Sequence, residues 1–588
     1  MQTEVQTEWK LPEPFQWLRP RARKCWRVFP RWAYALSLLG CLAPRTSPAA
    51  AVESFLHTRG QSIVNEKGDS IRLRGVGLGN WLLPEGYMWR FGNQADRPRR
   101  IEKLVADLLG AEEAKRFWRE YRENYITEND VQRIAELGFN SVRPAINSRL
   151  LLTEADPPVY SEEGCVLLDR LIAWSKAHGI YVILDMHAAP GGQTGQNIDD
   201  SADDQPELFM DAKYQEQLVA LWTTIARRYK DEPAVAGYDL LNEPLPARTG
   251  AAKTYKDRLE PLYKRITQAI RTVDTRHIII LEGADWANDW SVFGPPFDNN
   301  LVYQFHYYCQ GSPATLKSIQ AYLDHRTRLD APVWVGETGE RDNAIYWATT
   351  EYFEANNIGW AFWPWKKMDT HNAPNSIRPP AQWQAVTDYS RGGPKPSGKV
   401  AQEAFAELLL NLRLTNCTFF PDVVNAILRQ APARIEGENF GQEGLNKSYF
   451  VKDPGRLAKV YRPSEPVMIT AFGTNRWQSG QYITLGAAEW TAYTLRSGAP
   501  RNYQLTVRAK AVDAPAEARV IIGHQVRTVT IPSNTWSEIK LGAIALARGQ
   551  NRVVWRVQSG AADLDWLDLS TQTPPERGVS AAWPAARL

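Results

Sequence analysis

Tyr181-Val182-Ile183-Leu184-Asp185-Met186-His187-Ala188 is an apolar run that ends on ionisable residues. A run of four to eight apolar residues bounded by turn signals reads as a strand buried on both faces. The same form recurs at Ile71–Gly77, Asn140–Pro144, Gly237–Leu241, His277–Leu281, Val302–Phe305, Val333–Gly336 and Gly359–Trp363. Helical patterns lie between them, among them Glu128–Leu137, Gly164–His178, Tyr214–Tyr229 and Tyr255–Val273. Alternating strands and helices predict a parallel sheet. Eight repeats in about 360 residues predict an α/β fold of the (β/α)8 TIM-barrel type with long loops, since the minimal form needs about 250. An open doubly wound sheet is the alternative, but no Gly-rich phosphate-binding turn follows the first strand.

Outward from the barrel, expected at 53–412, the pattern changes. Residues 413–432 read as a linker. From 433 to 570, short alternating segments such as Tyr503–Ala509, Arg519–Ile522, Val526–Ile531 and Arg552–Val557 predict an antiparallel β-sandwich, and 571–588 a tail. Residues 1–52 read as an export leader. Arg19, Arg21, Arg23, Lys24, Arg27 and Arg31 precede an apolar run from Trp32 to Ala43 and the small residues Ser47–Ala51. That apolar run is shorter than the roughly 20 residues a membrane span needs, so no transmembrane segment is expected. Its charged part is long for a signal, which points to initiation near Val28. Leu38-Leu39-Gly40-Cys41 opens a second reading, a lipid anchor through Cys41.

The chain of 588 residues has net charge +3, but its first 51 residues hold eight Lys/Arg against three Asp/Glu, leaving −2 for the rest. Nucleic-acid binding therefore has no basic surplus behind it. Cys165, Cys309 and Cys417 are an odd number and far apart, which excludes a disulfide framework. No CxxC or paired-His spacing points to zinc, and nothing requires a catalytic metal or organic cofactor. The 23 Trp, many beside polar residues, suit a ligand with flat apolar faces and hydroxyl edges.

If the barrel closes, residues at the C-terminal strand ends share one mouth. Two glutamates stand out: Glu243 in Asp239-Leu240-Leu241-Asn242-Glu243-Pro244, and Glu337 in Val333-Trp334-Val335-Gly336-Glu337-Thr338. Acetal cleavage needs a proton for the leaving oxygen and a stabiliser for an oxocarbenium-like centre. Two carboxylates about 5–5.5 Å apart supply both with retention, whereas about 6.5–9.5 Å leaves room for a water and inverts.

The barrel resembles glycoside hydrolase family 5, a retaining (β/α)8 family. Arg72-Leu73-Arg74-Gly75-Val76-Gly77-Leu78-Gly79-Asn80-Trp81-Leu82 is similar to the first-strand motif of its exo-β-1,3-glucanase branch. So are Tyr125–Asp130, Gly138-Phe139-Asn140-Ser141-Val142-Arg143-Pro144 and Leu184-Asp185-Met186-His187-Ala188-Ala189-Pro190-Gly191-Gly192-Gln193. The resemblance implies that Glu243 is the general acid/base and Glu337 the nucleophile. It implies that Asn242 bonds the sugar 2-hydroxyl, that Arg143 keeps Glu337 ionised and that Tyr308 orients it. His306 is then expected near the acid/base, and His187 and Trp363 along the glucosyl subsite. Glu282 and Trp286 are weaker candidates at another strand end. The branch's fungal exo-enzymes carry an aromatic shortly after the Arg143 segment. Here the stretch is Ala145-Ile146-Asn147-Ser148, which puts exo attack in doubt. The insertion Ala111–Asn124 is expected to cap the barrel or wall the cleft, and Trp363–Asp369 to bring charge and Trp to the mouth.

Residues 433–570 resemble a family 6-like carbohydrate-binding module, on Ile435-Glu436-Gly437-Glu438-Asn439-Phe440, Tyr461-Arg462-Pro463, Ala488–Tyr493 and Asp563-Leu564-Asp565-Trp566-Leu567-Asp568. That resemblance implies a structural calcium on Glu436, Glu438 and Asp568. It also implies sugar-stacking aromatics among Phe450, Trp477, Trp490 and Trp536. Together these readings predict a secreted, periplasmic or surface-held monomer acting on β-1,3- or mixed-linkage β-glucan polysaccharide or oligosaccharide. A β-1,4-glucanase or mannanase on the same machinery is the alternative, and a non-catalytic polysaccharide-binding protein the remote one.

Overall fold

The computed structural model describes residues 51–155, 157–309, 316–456, 461–473 and 480–571. Residues 1–50 of the expected leader, Cys41 among them, and most of the tail lie outside the described residues. All eight predicted strands are present: β1 (Arg74–Leu78), β2 (Ser141–Asn147), β3 (Tyr181–Ala188), β4 (Val235–Asp239), β5 (Ile278–Glu282), β6 (Leu301–Tyr307), β7 (Val333–Gly339) and β8 (Gly359–Trp363). They pair in parallel in chain order, and β8 closes on β1 through Trp360↔Arg74. Helices cover their outer face, so nearly every strand residue is buried, and that is why the strands read as continuous apolar runs.

The floor of the barrel is a packed layer of Ile183, Ala236, Ile278, Ile280, Val302, Trp334 and Ala361. Leu56 plugs it from the hairpin Leu56–Arg59/Ser62–Asn65. Each Ile, Val or Leu of this layer contributes roughly 1.5–3 kcal/mol by burial, so the rigid end lies opposite the mouth. The helix Glu128–Leu137 has its predicted bounds, fixed by a Thr127–Asp130 capping box and by Gly138 at φ 102°. The predicted helix Tyr255–Val273 is in fact two, Ala251–Tyr255 and Leu259–Arg271, separated by a 3-10 turn at Lys256–Arg258.

Residues 433–570 form two antiparallel sheets. One runs Met468–Ala471, Gln481–Gly486, Ala561–Ser570, Arg501–Ala511, Ser537–Leu546, with Ala433–Glu436 paired to Ala561–Ser570. The other runs Tyr449–Phe450, Trp490–Ser497, Gly549–Ser559, Ala516–Ile522, Gln525–Ile531. Their inner faces enclose one core, including Leu505, Val507, Val553, Trp555 and Leu564. The segment 413–432 is not a loose linker. Pro421–Leu428 is a helix whose Val423, Val424, Ile427 and Leu428 are buried in the barrel's core. Trp347, on the barrel helix Asn343–Ala355, packs into the sandwich core. Beside it the Glu354 carboxylate pairs with Arg74 at 2.6 Å, Arg429 at 2.8 Å and Arg496 at 3.5 Å. One acid thus ties the start of β1, the connecting helix and a sandwich strand together.

Candidate active site

β4 delivers Asn242 and Glu243 just past its end, and β7 carries Glu337 within it. Both glutamates are almost fully buried. One carboxylate oxygen of each, together with a nitrogen of His306, lies within 4.8 Å of the others. His306, on β6, stands 2.7 Å from Glu243 Oε1 and 3.6 Å from Glu337 Oε2 through Nδ1. Burial works against a proton on this imidazole, but the carboxylates of Glu337, Glu282 and Glu243 overcome it and lift its pKa well above the ordinary value. His306 is therefore a cation that donates to Glu243. An imidazolium offers no lone pair, so this close triad is unsuited to gripping a metal ion.

Glu337 accepts Arg143 Nη1 at 2.7 Å and the Tyr308 hydroxyl at 2.8 Å, one on each oxygen. Burial raises its carboxyl above the usual range, while His306 and Arg143 pull it back. Arg143 is wholly buried and also donates to Asp239 at 2.8 Å, Asn242 Oδ1 at 2.9 Å and Glu282 at 3.0 Å, with Asp185 at 3.2 Å. Burial opposes its charge, and these carboxylates more than restore it.

Glu282 bonds the backbone N–H of Glu243 at 2.7 Å. Glu243 has φ 42°, an uncommon conformation for a side-chain-bearing residue, and Glu282 helps to hold it. Burial keeps His187 neutral, with a pKa near 4. Its two nitrogens lie 2.7 Å from Asp185 and 3.2 Å from Asn242 Nδ2, so Nδ1–H donates to Asp185 and Nε2 accepts from Asn242. Its ring runs parallel to that of Trp363, centroids 5.4 Å apart. Trp363 lies over Gly77 and Gly79, where an added Cβ would fall 2.3 and 2.5 Å from the indole. The Gly-x-Gly of the first-strand motif is thus the bed of this ring. Its Nε1 donates to Tyr87 Oη at 3.0 Å.

All eight sequence-predicted barrel residues are therefore gathered at one mouth. Sequence reading missed Asp239 and Asp185, although Asp185 and His187 stand two apart on one strand and so share a face. It also missed Glu85, buried in the loop after β1 with Oε1 unpartnered. Burial and the negative charge of Glu337 and Glu340 push its carboxyl well up. In the Trp363–Asp369 loop Trp363 lines the mouth and Lys367 serves its rim, pairing with Glu340 at 2.6 Å. Lys366 is fully buried on Asp130 at 2.6 Å, and Trp365 donates to the same carboxylate. The insertion is a helix, Ala111–Tyr125, whose Phe117, Trp118 and Tyr121 pack against Trp89, so it buttresses the loop after β1.

In the sandwich, Glu436 and Glu438 lie together, but the acid beside them is Asp565, not Asp568. Asp568 sits opposite Arg434 in the strand pairing. Burial and Asp565 raise Glu436 to about 7. Glu438 is raised further by burial and Glu436, and its Oε2 has no partner. Among the described residues only Glu243, His306 and Glu337 bring ligand atoms within 4.8 Å of one another, so these three acids are not drawn together around a cation, and burial favours protons on them. Phe450 is half-buried, Trp490 lies under Arg552, and Trp477 falls outside the described residues. Trp536 joins Phe472 and Tyr482 in a cluster with centroids 5.0–5.2 Å apart, and Phe472 is 39% exposed.

Residues 108–369 match the model of the cellulase family, glycosyl hydrolase family 5. A β-xylosidase of Phanerodontia chrysosporium is 29% identical over 349 residues, covering 54% of this chain and 71% of that protein. A probable glucan 1,3-beta-glucosidase A of Emericella nidulans is 29% identical over 301 residues, 49% and 71% of the two chains. Endoglucanase C of Acetivibrio thermocellus is 29% identical over 194 residues, 33% and 53%. With this match lying across the strands that carry Arg143, His187, Glu243 and Glu337, the barrel is a glycoside hydrolase family 5 domain and the chain an O-glycosyl hydrolase.

Proposed function

We propose that the enzyme is a secreted hydrolase of β-1,3- or mixed-linkage β-glucan that cleaves with retention. The observation that carries the stereochemistry is the approach of the two carboxylates, an oxygen of each within 4.8 Å of the other, closer than the roughly 6.5–9.5 Å of an inverting pair. Glu337, held by Arg143 and Tyr308, attacks the anomeric carbon while Glu243 protonates the departing oxygen. The bond to the leaving sugar breaks and an ester to Glu337 forms. Glu243, now ionised beside His306, takes a proton from water, and the resulting hydroxide displaces Glu337 with net retention. Asn242 spends its oxygen on Arg143 and one N–H on His187, so its second N–H is available for the sugar 2-hydroxyl. That bond strengthens as the transition state develops.

The names of the relatives span xylosidase, glucan 1,3-β-glucosidase and endoglucanase, and all of these chemistries use the same pair of acids. The first-strand motif favours the 1,3 branch. The sandwich serves as a polysaccharide-binding module through its exposed aromatic cluster, raising the enzyme's local concentration on a polymer.

The test is incubation of the full chain with laminarin, barley mixed-linkage glucan, carboxymethylcellulose, pustulan and mannan, followed by chromatography of the products. Proton NMR of the first-formed anomer accompanies it. Release of β-configured sugar from laminarin or barley glucan is expected. Cleavage of only cellulose or mannan would overturn the branch, and first-formed α anomer would overturn retention.

A further inference from the structure

Away from the mouth, a cavity of about 790 Å³ opens on the flank of the barrel, between the helices Pro98–Leu109, Ala111–Tyr125 and Glu162–Ala177. Glu243, His306, Glu337 and Trp363 take no part in its lining. Its size falls in the range of small-molecule sites, roughly 300–1,000 Å³.

Its wall holds more positive charge than its own acids neutralise. Lys115, Arg119, Arg122, Arg149 and Arg170 line the cavity against Glu102, Glu123 and Glu163. Lys115 is engaged by Glu112 at 2.9 Å, and Arg149 by Glu102 at 2.8 Å and by Asp200. Arg122 reaches Glu163 only at 3.5 Å. Burial opposes its charge more than Glu102 and Glu163 support it, so its pKa is lowered. Arg119 and Arg170 pair with no carboxylate among the described residues, and the buried Nε of Arg170 has no hydrogen-bond partner. Trp118 belongs to the same lining; it is 7% exposed, and its indole N–H is also unpartnered. Buried donors in native proteins are nearly always matched. An anion in the cavity would answer both the surplus charge and the shortage of acceptors.

Between these donors the wall is aliphatic, formed by Ala114, Leu150, Val166 and Leu167, and Val166 is 46% exposed. The Trp118 ring is packed among Trp89, Phe117 and Tyr121, so it offers no open platform to a pyranose face. A hydrocarbon body gains more from such a wall than a ring covered with hydroxyls. The chain's own leader is unsuited to the place, since its first 51 residues carry eight Lys/Arg against three Asp/Glu and like charges repel.

We propose that this flank cavity binds a carboxylate carried on a hydrocarbon body, with Arg119, Arg122 and Arg170 receiving the carboxylate and Leu150, Val166 and Leu167 the body. A guanidinium fork matches a planar carboxylate with two parallel hydrogen bonds. The site is separate from the reaction centre, and its ligand is neither substrate nor product of glycoside cleavage.

The test is calorimetric titration of the full chain with 2-naphthoate. Two comparisons accompany it: 2-naphthamide, which has the ring without the charge, and glucuronate, which has the charge without the hydrocarbon. One naphthoate per chain is expected to bind, and each comparison should bind at least about tenfold more weakly, the scale of one charge-assisted hydrogen bond or one buried hydrocarbon group. Arg119 and Val166 are exposed, so substitutions there leave the core intact. Arg119→Gln should weaken naphthoate about tenfold. Val166→Glu should weaken it and Val166→Lys tighten it, each about threefold at low salt. Glu337→Gln should bind naphthoate as the parent does. No saturable binding of naphthoate, or affinities within twofold of the parent in all three cavity variants, would overturn the proposal. An affinity changed in Glu337→Gln would place the anion at the mouth and overturn it too.

Discussion

At the barrel mouth Asp185, Asp239, Glu243, Glu282 and Glu337 crowd around two buried cations, Arg143 and His306, and Arg143 alone touches four of them. In the sandwich Glu436, Glu438 and Asp565 crowd one another. The cations there are Arg508, which bonds Asp565, Arg434, whose guanidinium lies over Trp566, 4.2 Å from its centre, and the buried Arg462, which donates to the Glu438 carbonyl oxygen at 3.4 Å and is itself paired with Glu465. In the first cluster Arg143 bonds its carboxylates directly, although Asp185 Oδ1 and Asp239 Oδ1 are left without a hydrogen bond; in the second, among the described residues, no cation pairs with the Glu438 carboxylate, and its Oε2 is unpaired. A reaction centre must keep its charges fixed through a catalytic cycle, so its cations are built in. A purely structural cluster can take protons from solution instead. This difference can be broken or sharpened by experiment.

The largest effect belongs to the reacting pair. Glu337→Gln keeps the size and the acceptor for Arg143 but removes the nucleophile. It should lower kcat by about 10⁴-fold or more with an unchanged melting temperature, read by steady-state kinetics and thermal melts. Activity within tenfold of the parent would remove Glu337 from its role.

Next comes the built-in cation. Arg143→Met leaves its buried carboxylates without their counter-charge, which should cost about 3–5 kcal/mol of stability. Arg434→Met, at the exposed edge of the sandwich, should cost no more than about 1 kcal/mol. Equal losses in urea melts would erase the contrast between the two clusters.

The same contrast explains what could be read from sequence. The eight strands were legible because parallel strands are apolar on both faces, and their polar ends followed from closure. Glu85 was not legible: it lies in a loop shaped by Asn80, whose side chain accepts the Glu85 N–H at 3.0 Å and whose φ is 64°. Lys366 looked like a mouth residue because its partner Asp130 is far away in sequence. The helix Pro421–Leu428 was hidden by a proline that reads as a breaker yet sits comfortably at the first helical position. That Asp565 rather than Asp568 neighbours Glu436 and Glu438 has one local reason. The pairing jumps from Arg508↔Trp566 to Ala509↔Leu564, so Asp565 is the extra residue of a β-bulge. A bulge breaks the alternation that sequence reading relies on.

The smallest effect is the pH dependence of the barrel itself, read against Asp185→Asn so that the titration of the sandwich acids cancels. Burial pushes Asp185 up to about 8, from an unfolded value near 3.9. The folded state therefore favours its proton, and the stability gained is lost as pH rises from about 4 through 8. Burial takes His187 down to about 4, from about 6.5 unfolded, so its contribution is lost as pH falls from 6.5 toward 4. Between about pH 4 and 6.5 the two slopes oppose and cancel. From about 6.5 to 8 the Asp185 slope, about 1.4 kcal/mol per pH unit or roughly 2 kcal/mol in all, is joined by that of His306, whose raised pKa also favours a proton on the folded state, and by those of Asp239 and Glu85, raised by burial. Urea melts across pH 5–8 should thus show a fall that steepens above about pH 6.5, and Asp185→Asn should lessen it. A stability that rises from pH 6.5 to 8 would mean that Arg143 keeps Asp185 ionised. The mouth would then hold more uncompensated negative charge than its two cations can carry, and the contrast with the sandwich would disappear.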